Sequence, residues 1–216
     1  MRIVLPPEAE LVGRLRDGDE AAFALVLDQW SPGMLRLDRS FVSTPDSAAE
    51  VVQDTWLAVL PALDRFEGRS SLRTWVYRIL VNTAKRRAAR EHRFVPVSSL
   101  GPGRAEAGPT VDPDRFQGPD EPYPRHWRTL PAPWPDLVPS PEQCTLDAEL
   151  QARLEDALDE LPERQRAVIT LRDVQGRPAE EVCTILEISS ANQRVLLHRA
   201  RAHVRARLEV YLDARA

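Results

Sequence analysis

The chain has 216 residues, 43% of them apolar, with 29 basic and 33 acidic side chains and a formal net charge of −4. That apolar content suits one domain or two small ones, and the near-neutral balance excludes a generic polycation. Cys144 and Cys183 lack metal-ligand spacing, and no apolar run reaches membrane-spanning length.

The opening MRIVLPPEAE is too short and too acidic for a secretory signal, so a soluble, cytoplasmic protein with reduced thiols is expected. Charge is strongly partitioned. Residues 1–64 carry five basic and eleven acidic side chains, whereas residues 65–93 carry nine basic and two acidic. Such a division predicts one face for nucleic acid and another for a different partner.

Residues 7–94 read as helices throughout. In TPDSAAEVVQDTWLAVL, Thr44 is an N-cap with Pro45 at the first helical position, and Val51, Val52, Thr55, Trp56 and Val59 form a buried face. FEGRSS (66–71) breaks the pattern, with Gly68 for the bend and Ser70 or Ser71 to cap the next helix. That helix, SLRTWVYRILVNTAKRRAAREHR, buries Leu72, Val76, Ile79 and Thr83 and turns Arg78, Asn82, Lys85, Arg86 and Arg90 outward. Trp75, beside the apolar stripe, reads either as core or as a stacking platform.

Residues 95–141 hold twelve of the 19 prolines, too many for a helix or a central strand. This is an acidic linker, partly extended and partly coil, that carries Phe116, Tyr123, Trp127 and Trp134. Those aromatics fit loose docking of the linker onto its own domains.

Residues 142–212 are helical again. Leu146, Leu150, Leu154 and Leu158 recur every four residues, and in LPERQRAVITLRDVQG Pro162 opens a helix with Ala167, Val168, Leu171 and Val174 inward and Gly176 at its close. From Gly176 to Arg207 the chain reads GRPAEEVCTILEISSANQRVLLHRARAHVRAR. A short helix (Pro178 to Leu186) meets a tight turn and then an arginine-rich helix, the layout of a helix-turn-helix. Leu197, Ala200, Val204 and Leu208 form one stripe; Ser190, Arg194, His198, Arg201 and Arg205 form a polar, basic one. An ordinary surface helix with a solvated cationic face is the bland alternative.

The expected fold is therefore all-α: two small helical domains, 7–94 and 142–212, joined by the long Pro-rich linker 95–141. Asn192, Gln193 and Arg194, at the start of the second helix of the motif, have the chemistry for base edges in a major groove. Arg199, Arg201 and Arg205 fit phosphates and register.

The two blocks together carry a specific resemblance. ALDELPERQRAVITLRDVQGRPAEEVCTILEIS followed by HRARAHVRARL resembles domain four of bacterial sigma factors of the extracytoplasmic-function class. LVGRLRDGDEAAFALVL, AAEVVQDTWLAVL and FEGRSSLRTWVYRILVNTAKRRAAR resemble sigma domain two, in the right order. The resemblance implies a promoter-specificity subunit that binds core RNA polymerase, opens the −10 element with domain two and reads the −35 duplex with domain four. It assigns Glu67, Arg69 and Ser70 to a pocket for a flipped −10 base. Arg73, Tyr77, Arg78, Asn82, Lys85, Arg86 and Arg90 fall to the −10 strand, which needs stacking and a cationic groove.

The same likeness assigns Ser190, Asn192, Gln193, Arg194, His198, Arg199, Arg201 and Arg205 to the −35 duplex. Glu50, Gln53, Asp54 and Leu57 go to the polymerase contact; without it they would read as a solvated helix face. It implies no catalytic residue, cofactor, metal, small-molecule substrate or membrane insertion, and it admits an anti-sigma factor as a further partner. The sequence departs from the family at the recognition helix, usually Thr-Val-Lys-Ser-Arg-Leu. Here it is Asn192-Gln193-Arg194-Val195-Leu196-Leu197, with Leu196 for a common arginine and Gln193 for a usually buried valine.

Two other functions compete. A dimeric helix-turn-helix regulator accounts for Pro178 to Arg207 but leaves VVQDTW and the helix from Leu72 to Arg93 without a task. A nuclease finds no paired carboxylates, phosphate loop or metal cluster, and His92, His126, His198 and His203 are scattered.

Overall fold

The computed structural model describes residues 5–94 and 141–213. Those residues are helical with short connections and contain no strand. In chain order they form α1 (Glu8–Arg16), α2 (Glu20–Asp38), α3 (Pro45–Ala62), α4 (Leu72–Phe94), α5 (Pro141–Asp159), α6 (Glu163–Ile169), α7 (Ala179–Leu186) and α8 (Ser190–Asp213). The linker residues 95–140, their aromatics, and the side chains of His92, Cys144 and Leu146 lie outside the described set.

The chain packs as two compact units. One holds α1–α4 together with α6, α7 and the first turns of α8 through Leu197; the other holds α5 and α8 from His198 onward.

Local chemistry starts and stops the helices where the sequence suggests. Asp19 caps α2 by accepting from the Ala21 and Ala22 N–H groups at 2.9 and 3.1 Å. Thr44 caps α3 through the Ser47 N–H at 3.1 Å, with Pro45 in the first turn. Ser71 caps α4 through the Thr74 N–H at 3.1 Å. After α6 the chain widens into a π-helical turn, Thr170–Val174, closed by Gly176 at φ 66°. That turn corrects one expectation: Ala167, Val168 and Leu171 are buried, but Val174 is exposed. The wider turn rotates Val174 off the stripe that a continuous 3.6-residue period would give it.

The core of the first unit lies where α2, α3 and α4 meet. Val26, Met34, Leu37, Val51, Val59, Leu72, Val76 and Leu80 are fully buried there. Trp56 links two aromatic contacts, stacked on Trp30 at 6.2 Å and edge-on to Phe23 at 5.6 Å. Gly33 on α2 sits against α4, where an added Cβ would stand 2.6 Å from the Tyr77 hydroxyl oxygen. Gly33→Ala should therefore destabilise by about 1–3 kcal/mol, as overpacking does. Thermal melts would read the loss, and Tyr77→Phe in the same chain should recover part of it. No recovery would mean that the close approach is not what limits this position.

Candidate nucleic-acid interface

Two basic surfaces arise from the packing. On α4 the inward residues Leu72, Val76, Tyr77, Leu80, Val81 and Ala84 leave Arg78, Asn82, Lys85, Arg86 and Arg90 exposed on the outer side. The arginines lie along the helix: Arg86 Nε donates to the Asn82 carbonyl at 3.2 Å, and Arg90 Nε to the Arg86 carbonyl at 3.4 Å. Arg78 also pairs with Glu187 of the α7–α8 turn at 2.9 Å.

The loop before α4 is held at both ends. Arg16 donates to the carbonyls of Leu63 and Phe66 at 3.1 and 2.7 Å, while Phe66 is buried and packs against Trp75 at 5.3 Å. Gly68, at φ 70°, turns the tip outward. Glu67 and Arg69 stand exposed and form an ion pair with each other, and Ser70 is half-buried. Trp75 remains half-buried against Phe66.

The second basic surface is α8. Glu187, in the left-handed region at φ 56°, ends α7 and reverses the chain. The Ser189 hydroxyl then accepts the Asn192 N–H at 3.2 Å and starts α8. Val182, Ile185 and Leu186 of α7 are buried, as are Leu197, Ala200 and Val204 along α8. Ser190, Arg194, His198, Arg199, Arg201 and Arg205 are exposed, and Asn192 is half-exposed. Arg207 and His203 are drawn to Glu160, at 2.6 and 3.2 Å. The Arg207 hydrogen bond, with help from His203, holds the Glu160 carboxyl below its usual range.

Two expected contact residues are placed inside. Gln193 is only 3% exposed, because 193, 197, 200 and 204 share one packed side of α8. Tyr77 is fully buried between two guanidiniums, with Arg73 5.7 Å and Arg177 4.8 Å from its ring. Val76 and Tyr77 both face inward because α4 packs against α3 on one side and α7 on another. Its apolar stripe is thus wider than the sequence period alone indicates. Arg73 is half-buried beside the same ring.

The acidic surface lies on α3. Glu50, Gln53, Asp54 and Leu57 are all exposed, Leu57 at 61%. Glu50 pairs with Arg87 of α4 at 2.6 Å. Beside this face runs an open apolar groove of about 410 Å³ between α2 and α3, bordered by Phe23, Leu27, Leu35, Trp56, Leu57 and Leu60. The α2 side of this groove was not anticipated. Its signal was present in the sequence: Phe23, Leu27 and Leu35, four and then eight residues apart, share one side of the helix beside the buried row of Val26, Trp30 and Met34.

Residues 26–94 match the model of sigma-70 region 2, and residues 151–204 that of sigma-70 region 4. The RNA polymerase sigma-H factor of Pseudomonas aeruginosa is 29% identical over 205 residues, covering 95% of each chain. The ECF RNA polymerase sigma-E factor of Escherichia coli is 29% identical over 191 residues, covering 88% of each. Two solved structures share the fold. CnrH, in complex with the cytosolic domain of CnrY, has a TM-score of 0.56 at 22% identity and covers 94% of this chain and 97% of its own. RpoE of Bartonella quintana, in complex with the anti-sigma factor NepR, has a TM-score of 0.56 at 23% identity and covers 87% and 97%.

Proposed function

Because the chain belongs to the sigma-70 family, in the extracytoplasmic-function class of RNA polymerase sigma factors, we propose how its surfaces divide the work of promoter recognition. A sigma factor binds core RNA polymerase and directs it to specific promoters. In this reading residues 7–94 and 142–212 act as the two working domains and residues 95–141 as the tether. The observation that carries it is the pairing of each matched region with its own exposed basic helix, α4 in region 2 and α8 in region 4.

The −10 strand, once separated, meets the α4 face of Arg78, Asn82, Lys85, Arg86 and Arg90. One base enters the tip formed by Glu67, Arg69 and Ser70. The −35 duplex meets α8, where Asn192 and Arg194 address base edges while Arg199, Arg201 and Arg205 neutralise phosphates. Core polymerase docks on α3 through Glu50, Gln53, Asp54 and Leu57. The neighbouring groove seats an apolar side chain of the partner, an anchor of the kind that dominates binding energy.

The chain itself performs no catalysis and uses no cofactor; the polymerase supplies the chemistry. No helix among the described residues is long and apolar enough to cross a membrane. An anti-sigma factor is a further partner in this reading, since two proteins of the same fold are held by such partners or by a cytosolic domain.

The test is addition of the full chain to core polymerase. Co-migration and specific initiation from a selected promoter are expected. Duplex binding as a dimer without polymerase association would instead support the regulator. Arg90→Ala should weaken binding to all DNA and flatten the salt slope by about one unit. An unchanged slope would remove Arg90 from the phosphate contacts.

A further inference from the structure

Among the described residues, four large apolar side chains stand well exposed: Leu57, Leu60, Val174 and Val195. Leu57 and Leu60 border the groove on α3, and Val174 is turned out by the π-helical turn. Val195 has no such setting. It lies in the second turn of α8, 48% exposed, in a stretch from Ser190 to Arg207 with five arginines and no acidic residue.

Helix geometry fixes its direction. At about 100° per residue, position 195 lies roughly opposite the packed line of Gln193, Leu197, Ala200 and Val204. Exposed Ala191 stands one turn before it on the same side, and exposed Arg194 and Arg199 flank it. A β-branched side chain is slightly unfavourable in a helix and gains nothing from water. Between cations it is poorly suited to an apolar protein partner and well suited to a polyanion. In a DNA major groove the one apolar feature a base presents is the 5-methyl group of thymine.

We propose that Val195 reads a thymine of the −35 duplex by packing its methyl groups against that 5-methyl group. This rests on α8 being the recognition helix, as argued above. Arg194 then supplies polar readout next to an apolar contact, and the valine adds discrimination at a position the arginine does not reach.

Replacing thymine by deoxyuridine removes only the methyl group, which isolates the contact. The full chain with core polymerase would first select duplexes from a library randomised over the −35 element. The selected set should fix a thymine at one position. Uracil at that position should weaken wild-type binding about threefold to fivefold, the worth of one buried methyl. Val195→Ala should bind the thymine and uracil duplexes equally, whereas Val195→Ile, which keeps an apolar branch, should still prefer thymine.

Circular dichroism checks that the variants keep their helix content. A selected element without thymine, or a thymine preference that survives Val195→Ala, overturns the assignment. Failure of the wild type to select any element would overturn the recognition-helix reading along with it.

Discussion

Asp38→Asn should stabilise the protein at neutral pH and flatten its stability profile between about pH 4 and pH 9. Asp38 is the last residue of α2, fully buried, and neither carboxylate oxygen has a hydrogen-bond partner. Desolvation pushes its pKa up to about 9. The C-terminal end of a helix dipole also disfavours negative charge there. The folded chain therefore keeps a proton that the unfolded chain releases above its ordinary value near 3.8. The linkage sign follows: a folded pKa above the unfolded one makes stability fall as pH rises through the interval between them. The slope is about 1.4 kcal/mol per pH unit over the roughly three units from 3.8 to pH 7, so the accumulated cost near pH 7 is on the order of 4–5 kcal/mol. Asparagine removes the titration but leaves an orphaned amide costing about 1–3 kcal/mol, so the net gain at pH 7 is on the order of 1–3 kcal/mol. Denaturant midpoints across the range would show the difference shrinking as pH falls and changing sign between about pH 4.5 and pH 6. Parallel profiles for the two proteins would mean that Asp38 ionises within the fold.

Arg194→Ala should weaken binding to a selected −35 duplex by about tenfold to a hundredfold while barely changing affinity for random duplex. A bidentate arginine–guanine pair discriminates by about 1–3 kcal/mol. Arg194 is exposed at the start of α8, where the N-terminal residues of a recognition helix meet base edges. Arg199→Ala should lower both affinities together, as loss of a phosphate contact does. Arg194→Lys should restore charge without restoring selectivity, because an ammonium cannot reproduce the planar fork. The comparison is best made at several salt concentrations. Equal losses for Arg194→Ala on specific and random duplex would demote Arg194 to a phosphate contact.

The helices themselves were legible because their signals are local. Thr44 with Pro45, Gly68, Ser71 and Gly176 act within a few residues of the backbone they shape, and each stands where the sequence places it. The exposed basic residues of α4 and α8 were legible for the same reason, from period alone. Tyr77, Gln193 and Val174 were not. Tyr77 is covered by Arg177, a hundred residues later in the chain. Gln193 is a polar residue on a packed stripe, so its type and its helical position point in opposite directions. Val174 depends on a one-residue change of helical period that no pattern announces. Asp38 belongs with these, because nothing adjacent in sequence marks an aspartate for complete burial.

The contact around Tyr77 is built on uneasy terms. Arg73 Nε, Arg172 Nε, Gln175 Oε1, the Tyr77 hydroxyl, and Nε and Nη2 of Arg177 are all buried there without partners. Against them stand the Gln175 Nε2 bond to the Gly33 carbonyl at 2.8 Å and the Arg177–Glu181 pair at 3.0 Å. Stripping water from guanidinium nitrogens and giving little back makes a seam, not a weld. The unpartnered guanidinium nitrogens beside α4 and α7 are thus a cost that the buried apolar contacts of the two helices must offset.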